Sequence, residues 1–318
     1  MKRILVIRGG ALGDFLLTLP TLKALRDAHP RARIEILGYP HIAAVADKRF
    51  YADAVRSIEY AALSCFFARG GELPSHLRDY FGVFDLILSY LYDPDQIFEN
   101  NLRQCSVQKI LRGPARIDKN AHAAWQLAQP LQELGINVTD LAAKLFPSDE
   151  DREFARRFLE NCEPPILALH PGSGSEKKNW PIENWIELAK TSLNAKASFR
   201  AIVFVSGEAD EKEMARVRTS FEHEPQVRFA HQLPLPQLAA VLEQSTFIGH
   251  DSGISHLAAA AGARCLILFG PTDPKVWAPQ NTNARVLFAS HADLTQLGVA
   301  IVWNTINDWE RERRATEL

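Results

Sequence analysis

The sequence predicts an α/β protein made of two doubly wound parallel-sheet domains facing each other across a cleft. Three observations lead there. Short, strongly apolar runs such as residues 3–8 (RILVIR) read as strands covered on both faces. Stretches of helical period lie between them. The pattern then restarts after about residue 150, beyond a charged segment that ends at Pro164-Pro165.

In order, residues 3–8 form the first strand, and GDFLLTLPTLKALRDAHP (13–30) has apolar residues at helical spacing, with Asp14 near its start and Pro30 past its end. RARIEILGYP (31–40), FDLILSY (84–90) and QKILRG (108–113) are further strands, and roughly 120–135 is helical. SDEDREFARRFLENCEPP (148–165) reads as a capped, charged linking helix. The second half offers strands in ILALHPGSG (166–174), RAIVFVSGE (200–208), QVRFA (226–230), TFIGHDSG (246–253) and RCLILFGPT (264–272). Most of these run into Gly, Ser, Asp or Thr. The expected domains are 1–160, 161–290 and a helical C-terminal segment, 291–318. Ligands of such sheets bind at the carboxyl ends of the strands, so the residues there matter most.

Composition narrows the function. The chain has 318 residues, 47% hydrophobic and 23% charged, with a formal net charge of −2. A protein that grips nucleic acid by its phosphates is usually more basic, so no nucleic-acid partner is expected. The four cysteines are scattered without metal-ligand spacing and read as buried apolar residues in a reducing compartment. The N-terminal apolar stretch is interrupted by Arg8 and Asp14, unlike a signal peptide, and a cytoplasmic location is expected.

Five stretches could carry chemistry. RGGALGD (8–14) follows the first strand, and its glycines, Gly13 among them, let the backbone approach a ligand. Arg8 stands where the first glycine of a dinucleotide-binding fingerprint would fall, so that fingerprint is broken. Asp14 is either a helix N-terminal acid favoured by the macrodipole or a carboxylate able to take a proton from a hydroxyl nucleophile. In HPGSGSEKKNWP (170–181), Ser173, Gly174 and Ser175 offer a phosphate-binding loop, with Lys177 and Lys178 adding positive charge or simply facing solvent. In GHDSGISHLAAAAGA (249–263), Asp251, Ser252, Gly253 and Ile254 open an alanine-rich helix whose free amides suit an anion. An N-cap explains one of those residues, and His256 is either a phosphate or sugar contact or a structural residue. Glu208 and Glu211 could grip ribose hydroxyls or be ordinary first-turn acids. Thr272, in FGPTD, either flanks the same pocket or belongs to a turn.

Together IRGGALGDFLLTLPTLKAL, HPGSGSEKKNWP and DSGISHLAAAAGARCLILFGPTDP resemble glycosyltransferase family 9, the heptosyltransferase-type enzymes of lipopolysaccharide core assembly. The order and spacing of these pieces fit along essentially the whole chain, and the third is the most specific. The resemblance implies a GT-B fold, in which the C-terminal helix returns to pack on the first domain, and an inverting, metal-independent transferase without a cofactor. Its donor would be a nucleotide-diphosphate sugar, most often ADP-heptose, and its acceptor a glycan or glycolipid, with peripheral contact at the inner face of the cytoplasmic membrane. It casts Asp14 as general base, Lys178 as the lysine that neutralises the departing diphosphate, and 251–256 as the donor-binding loop. Ser252 departs from the family's frequent threonine and keeps the hydroxyl. Arg8, Arg112 and Arg116 are candidates for acceptor phosphates. The alternatives are a nucleotide-sugar epimerase or hydrolase, which needs no second sugar, and a non-catalytic nucleotide-sugar-binding protein, which needs no base.

Overall fold

The computed structural model describes residues 1–195, 198–207 and 210–316. The chain divides into two compact units, Met1–Phe146 and Pro147–Leu318. The first holds β1 (Arg3–Arg8), β2 (Arg33–Gly38), β3 (Ala54–Ser57), β4 (Leu86–Ser89) and β5 (Lys109–Arg112) in the order β3-β2-β1-β4-β5. The second holds β6 (Ile166–His170), β7 (Ala201–Ser206), β8 (Val227–His231), β9 (Ser245–His250), β10 (Arg264–Phe269) and β11 (Ala284–Phe288) in the order β11-β10-β9-β6-β7-β8. Every pairing is parallel. In each sheet the strand order reverses beside the first strand: between β1 and β4, and between β6 and β9. In open α/β sheets such reversals leave a crevice at the strand carboxyl ends, where ligands generally bind.

The strands read from the sequence include every central one, whose burial explains their signal, and the edge strands β5 and β8. Strands β6, β7 and β9 are buried at every position, and β1 at all but its first. The two strands the sequence did not announce, β3 and β11, are sheet edges with half-exposed or exposed side chains. An edge strand needs no continuous apolar run, so its signal is weak.

The unit boundary falls earlier than residue 160 because the linking helix, Asp149–Phe158, belongs to the second unit. Its capping box is as expected: the Asp151 amide donates to Ser148 Oγ at 3.2 Å and the Ser148 amide to Asp151 Oδ2 at 2.7 Å. Arg152 then makes a two-pronged bond to Glu243, at 2.9 and 3.1 Å, on the helix Leu235–Glu243. The C-terminal helix is Val299–Thr316. It packs against the helix Ile182–Asn194, and Val302, Ile306 and Trp309 join Trp185, Leu188 and Phe199 in the second unit's core. Its apolar residues are thereby anchored in the second unit.

Candidate active site

In the second unit the chemistry-bearing segments meet at the reversal between β6 and β9. The segment after β6 runs from His170 through a short 3₁₀ turn, Glu176–Lys178, to the buried Trp180. Its first glycine has a steric reason: a Cβ on Gly172 would lie 1.9 Å from Asp210 Oδ1. Ser173 organises the loop itself, its Oγ bonding to the Ser175 carbonyl at 2.8 Å and Asn179 Oδ1 at 2.6 Å. Gly174 is exposed, and a Cβ there would meet nothing within 4 Å, so close backbone approach by a ligand is sterically open.

After β9, Asp251 accepts Lys178 Nζ at 2.7 Å and Thr272 Oγ1 at 2.7 Å on the same oxygen. Lys178 keeps 28% of its side chain exposed, against 10% for Asp251. An ammonium has three donors, so one can hold Asp251 while the others face a ligand. The Asp251 carboxylate and the Thr272 hydroxyl therefore serve the lysine rather than an anion directly.

Ser252 caps the helix Gly253–Ala261, accepting from the Ser255 amide. Ser255 Oγ turns back to the His250 carbonyl. Among the described residues the amides of Gly253 and Ile254 have no protein acceptor, and both residues are half-buried. They are the open donors that the first turn of a helix leaves for an anion. The remainder of this helix is core: Leu257, Ala258 and Ala259 are all but fully buried, and Gly262, at φ 97°, ends it in the left-handed region. His256 is 6% exposed, so its imidazole offers little surface to a ligand. Glu211 lies exposed in the first turn of the helix Glu211–Ser220, as an ordinary first-turn acid does. Glu208 lies outside the described residues.

Two residues without an assigned role turn out to be central. His170 and His250 are 80 positions apart in sequence but end the adjacent strands β6 and β9. His250 Nε2 accepts the Trp180 amide at 2.7 Å and Nδ1 donates to the Gly172 carbonyl at 3.3 Å. His170 Nδ1 lies 3.4 Å from Ser252 Oγ. Burial pushes His170 down to about 4, and chiefly burial pushes His250 down to about 3. Both are therefore neutral when folded but titrate near 6.5 when unfolded, so the unfolded chain binds the extra protons as pH falls below 6.5. Their stabilising contribution is full above that range and shrinks as pH falls. Lowering pH from 7 to 5 should remove ~3–4 kcal/mol of stability through this pair. Urea denaturation at both pH values checks this, and an unchanged midpoint would refute the neutral pair.

In the first unit Asp14 is the third residue of the short helix Leu12–Leu16, with Gly13 before it. Its Oδ2 accepts the Ala11 amide at 3.0 Å, and Oδ1 lies 3.6 Å from Arg8 Nη2. Gly10, at φ 95°, leaves room for that carboxylate, since a Cβ would sit 2.9 Å from Oδ2. Arg8 is itself 8% exposed, donates to the Asp14 carbonyl and lies over the Tyr90 ring at 5.3 Å. With 40% of its side chain exposed, Asp14 combines the helix-start role with an accessible carboxylate. Arg112 is held by Glu99 and Gln96, and Arg116 lies over the Tyr92 ring at 4.8 Å.

The sequence profile of glycosyltransferase family 9 (heptosyltransferase) matches residues 108–297, more than half of the chain and including both the lysine loop and the capped helix. The chain belongs to glycosyltransferase family 9. It is a glycosyltransferase, and its two parallel-sheet units are those of the GT-B fold. Lipopolysaccharide heptosyltransferase 1 of Escherichia coli O18:K1:H7 is 24% identical over 333 residues, covering 93% of this chain and 94% of that one. Lipopolysaccharide heptosyltransferase 2 of Salmonella typhimurium is 27% identical over 170 residues, covering 52% of this chain and 46% of that protein. The structure of the E. coli ADP-heptose lps heptosyltransferase II superposes with a TM-score of 0.77 at 18% identity, covering 99% of this chain and 100% of that one. No helix among the described residues is long and apolar enough to cross a membrane.

Proposed function

We propose that this family 9 glycosyltransferase moves heptose from ADP-heptose to a lipopolysaccharide-core-type acceptor, with inversion at the anomeric carbon and without a metal. The observation that carries the donor assignment is the pairing of Lys178 with the open Gly253 and Ile254 amides at the β6–β9 reversal. Asp14 takes the proton from the acceptor hydroxyl as its oxygen attacks the anomeric carbon. The bond from that carbon to the diphosphate breaks, and the electron pair leaves with the diphosphate. Lys178 and the helix amides meet the charge as it grows there. The sugar and nucleotide are carried over from the names of the relatives, all of them heptosyltransferases. A lipid-linked acceptor would bring the enzyme to the cytoplasmic face of a membrane as a peripheral protein.

The test is calorimetric titration in EDTA with ADP, UDP, GDP and CDP, followed by a transfer assay with the sugar conjugate of whichever binds. Selective ADP binding, and turnover with ADP-heptose that added magnesium does not raise, are the expected results. Preference for another base rejects ADP-heptose. Sugar release without an acceptor points to a hydrolase, and absence of nucleotide binding by the folded protein points to a non-catalytic role.

A further inference from the structure

A histidine buried to 0% exposure at the end of a central strand is an expensive choice where an aliphatic residue would pack. The geometry shows what offsets it. The two ring nitrogens of His250 fasten the lysine loop at two points, Gly172 and Trp180, on either side of Lys178. Those bonds fix the ring with its proton on Nδ1 and its lone pair on Nε2. Edge-on contact with Trp185, at 5.1 Å and 88°, holds the ring plane. The next residue, Asp251, holds Lys178 itself, and the residue after that, Ser252, caps the helix bearing the open amides. Three consecutive residues thus set the lysine and the helix end against one another.

We infer that His250 is a positioning residue for Lys178, keeping the lysine loop in register with the Gly253 and Ile254 amides so that both grip one diphosphate. The inference rests on reading this site as the donor diphosphate site. Loops that orient a charged group matter because a misplacement of about 1 Å can cost as much as ~100-fold in rate.

The test is a double-mutant cycle read by binding. Affinities for ADP and AMP are measured in EDTA, well below the unfolding transition, for wild type, His250→Leu, Lys178→Ala and the double variant. His250→Leu should weaken ADP about tenfold and AMP much less, and in the Lys178→Ala background it should cost little more, as coupled neighbours do. His250→Gln, whose side-chain carbonyl can still accept the Trp180 amide, should recover part of the loss. Hydrogen exchange at the Trp180 amide should be slow in wild type and fast in His250→Leu. If His250→Leu does not fold, His250→Asn, whose side chain stops short of Trp180, takes its place in the cycle. Additive losses, or equal losses for ADP and AMP, would overturn the positioning role and leave a structural one. A wild type without preference for ADP over AMP would sink the donor-site reading and this inference with it. A preference abolished by Lys178→Ala but untouched at His250 would sink the inference alone.

Discussion

Asp14→Asn should lower kcat by roughly 10²–10⁴ while leaving ADP affinity within about twofold, because it removes the proton acceptor and little else. Asparagine keeps an oxygen to accept the Ala11 amide, the bond that starts the helix Leu12–Leu16. Arg8 loses an ion pair of 3.6 Å but keeps its two bonds to the residue 14 carbonyl, at 3.3 and 2.9 Å. Folding should therefore survive, and thermal denaturation alongside steady-state kinetics separates the two effects. A variant with wild-type turnover would return Asp14 to the helix-start role that its hydrogen bond already satisfies.

Lys178→Ala should lower kcat by about 10²–10³, equivalent to ~3–4 kcal/mol of lost stabilisation of the departing diphosphate. The structure adds a second consequence. With the lysine gone, the Asp251 carboxylate, 10% exposed, keeps among the described residues only the Thr272 hydroxyl as a side-chain donor and faces the incoming diphosphate as a like charge. Lys178→Ala combined with Asp251→Asn should therefore bind ADP better than Lys178→Ala alone. Isothermal titration of the single and double variants decides it. Equal affinity in the two would mean that the carboxylate does not face the ligand. Unchanged kinetics in Lys178→Ala would move the cationic role to Lys177 or remove it.

Much of the fold was legible because its central strands are covered on both faces. Burial on both sides demands uninterrupted apolar runs, and RILVIR, ILALH and CLILF supply them. Strands β3 and β11 were silent for the converse reason, since an edge strand with wet side chains carries no such pattern. The capped helix after β9 and the lysine loop after β6 were also legible, because capping residues, glycines and a lysine pair are local features. The roles inside the site were less so. Asp251 was read as part of the anion-binding loop and Thr272 as a pocket flank or a turn, and neither reading announced that the Asp251 carboxylate accepts from both Lys178 and Thr272. Ser173 was read as a phosphate donor, yet its hydroxyl closes its own loop.

The sequence by itself determined which segments are buried strands, where glycine and proline break them, and which of those strand ends carry charge and hydroxyls. Those properties follow from local periodicity and backbone preference, and each is settled within a few residues. Only the tertiary structure decided who meets whom. The strand order places β9 beside β6, bringing His250 to Gly172 and Trp180 and Asp251 to Lys178 across 70–78 residues of chain. A histidine at a strand end has no local signature of such a role. Its partners are fixed by sheet pairing, and sheet pairing minimises exposed apolar area over the whole unit rather than any local cost.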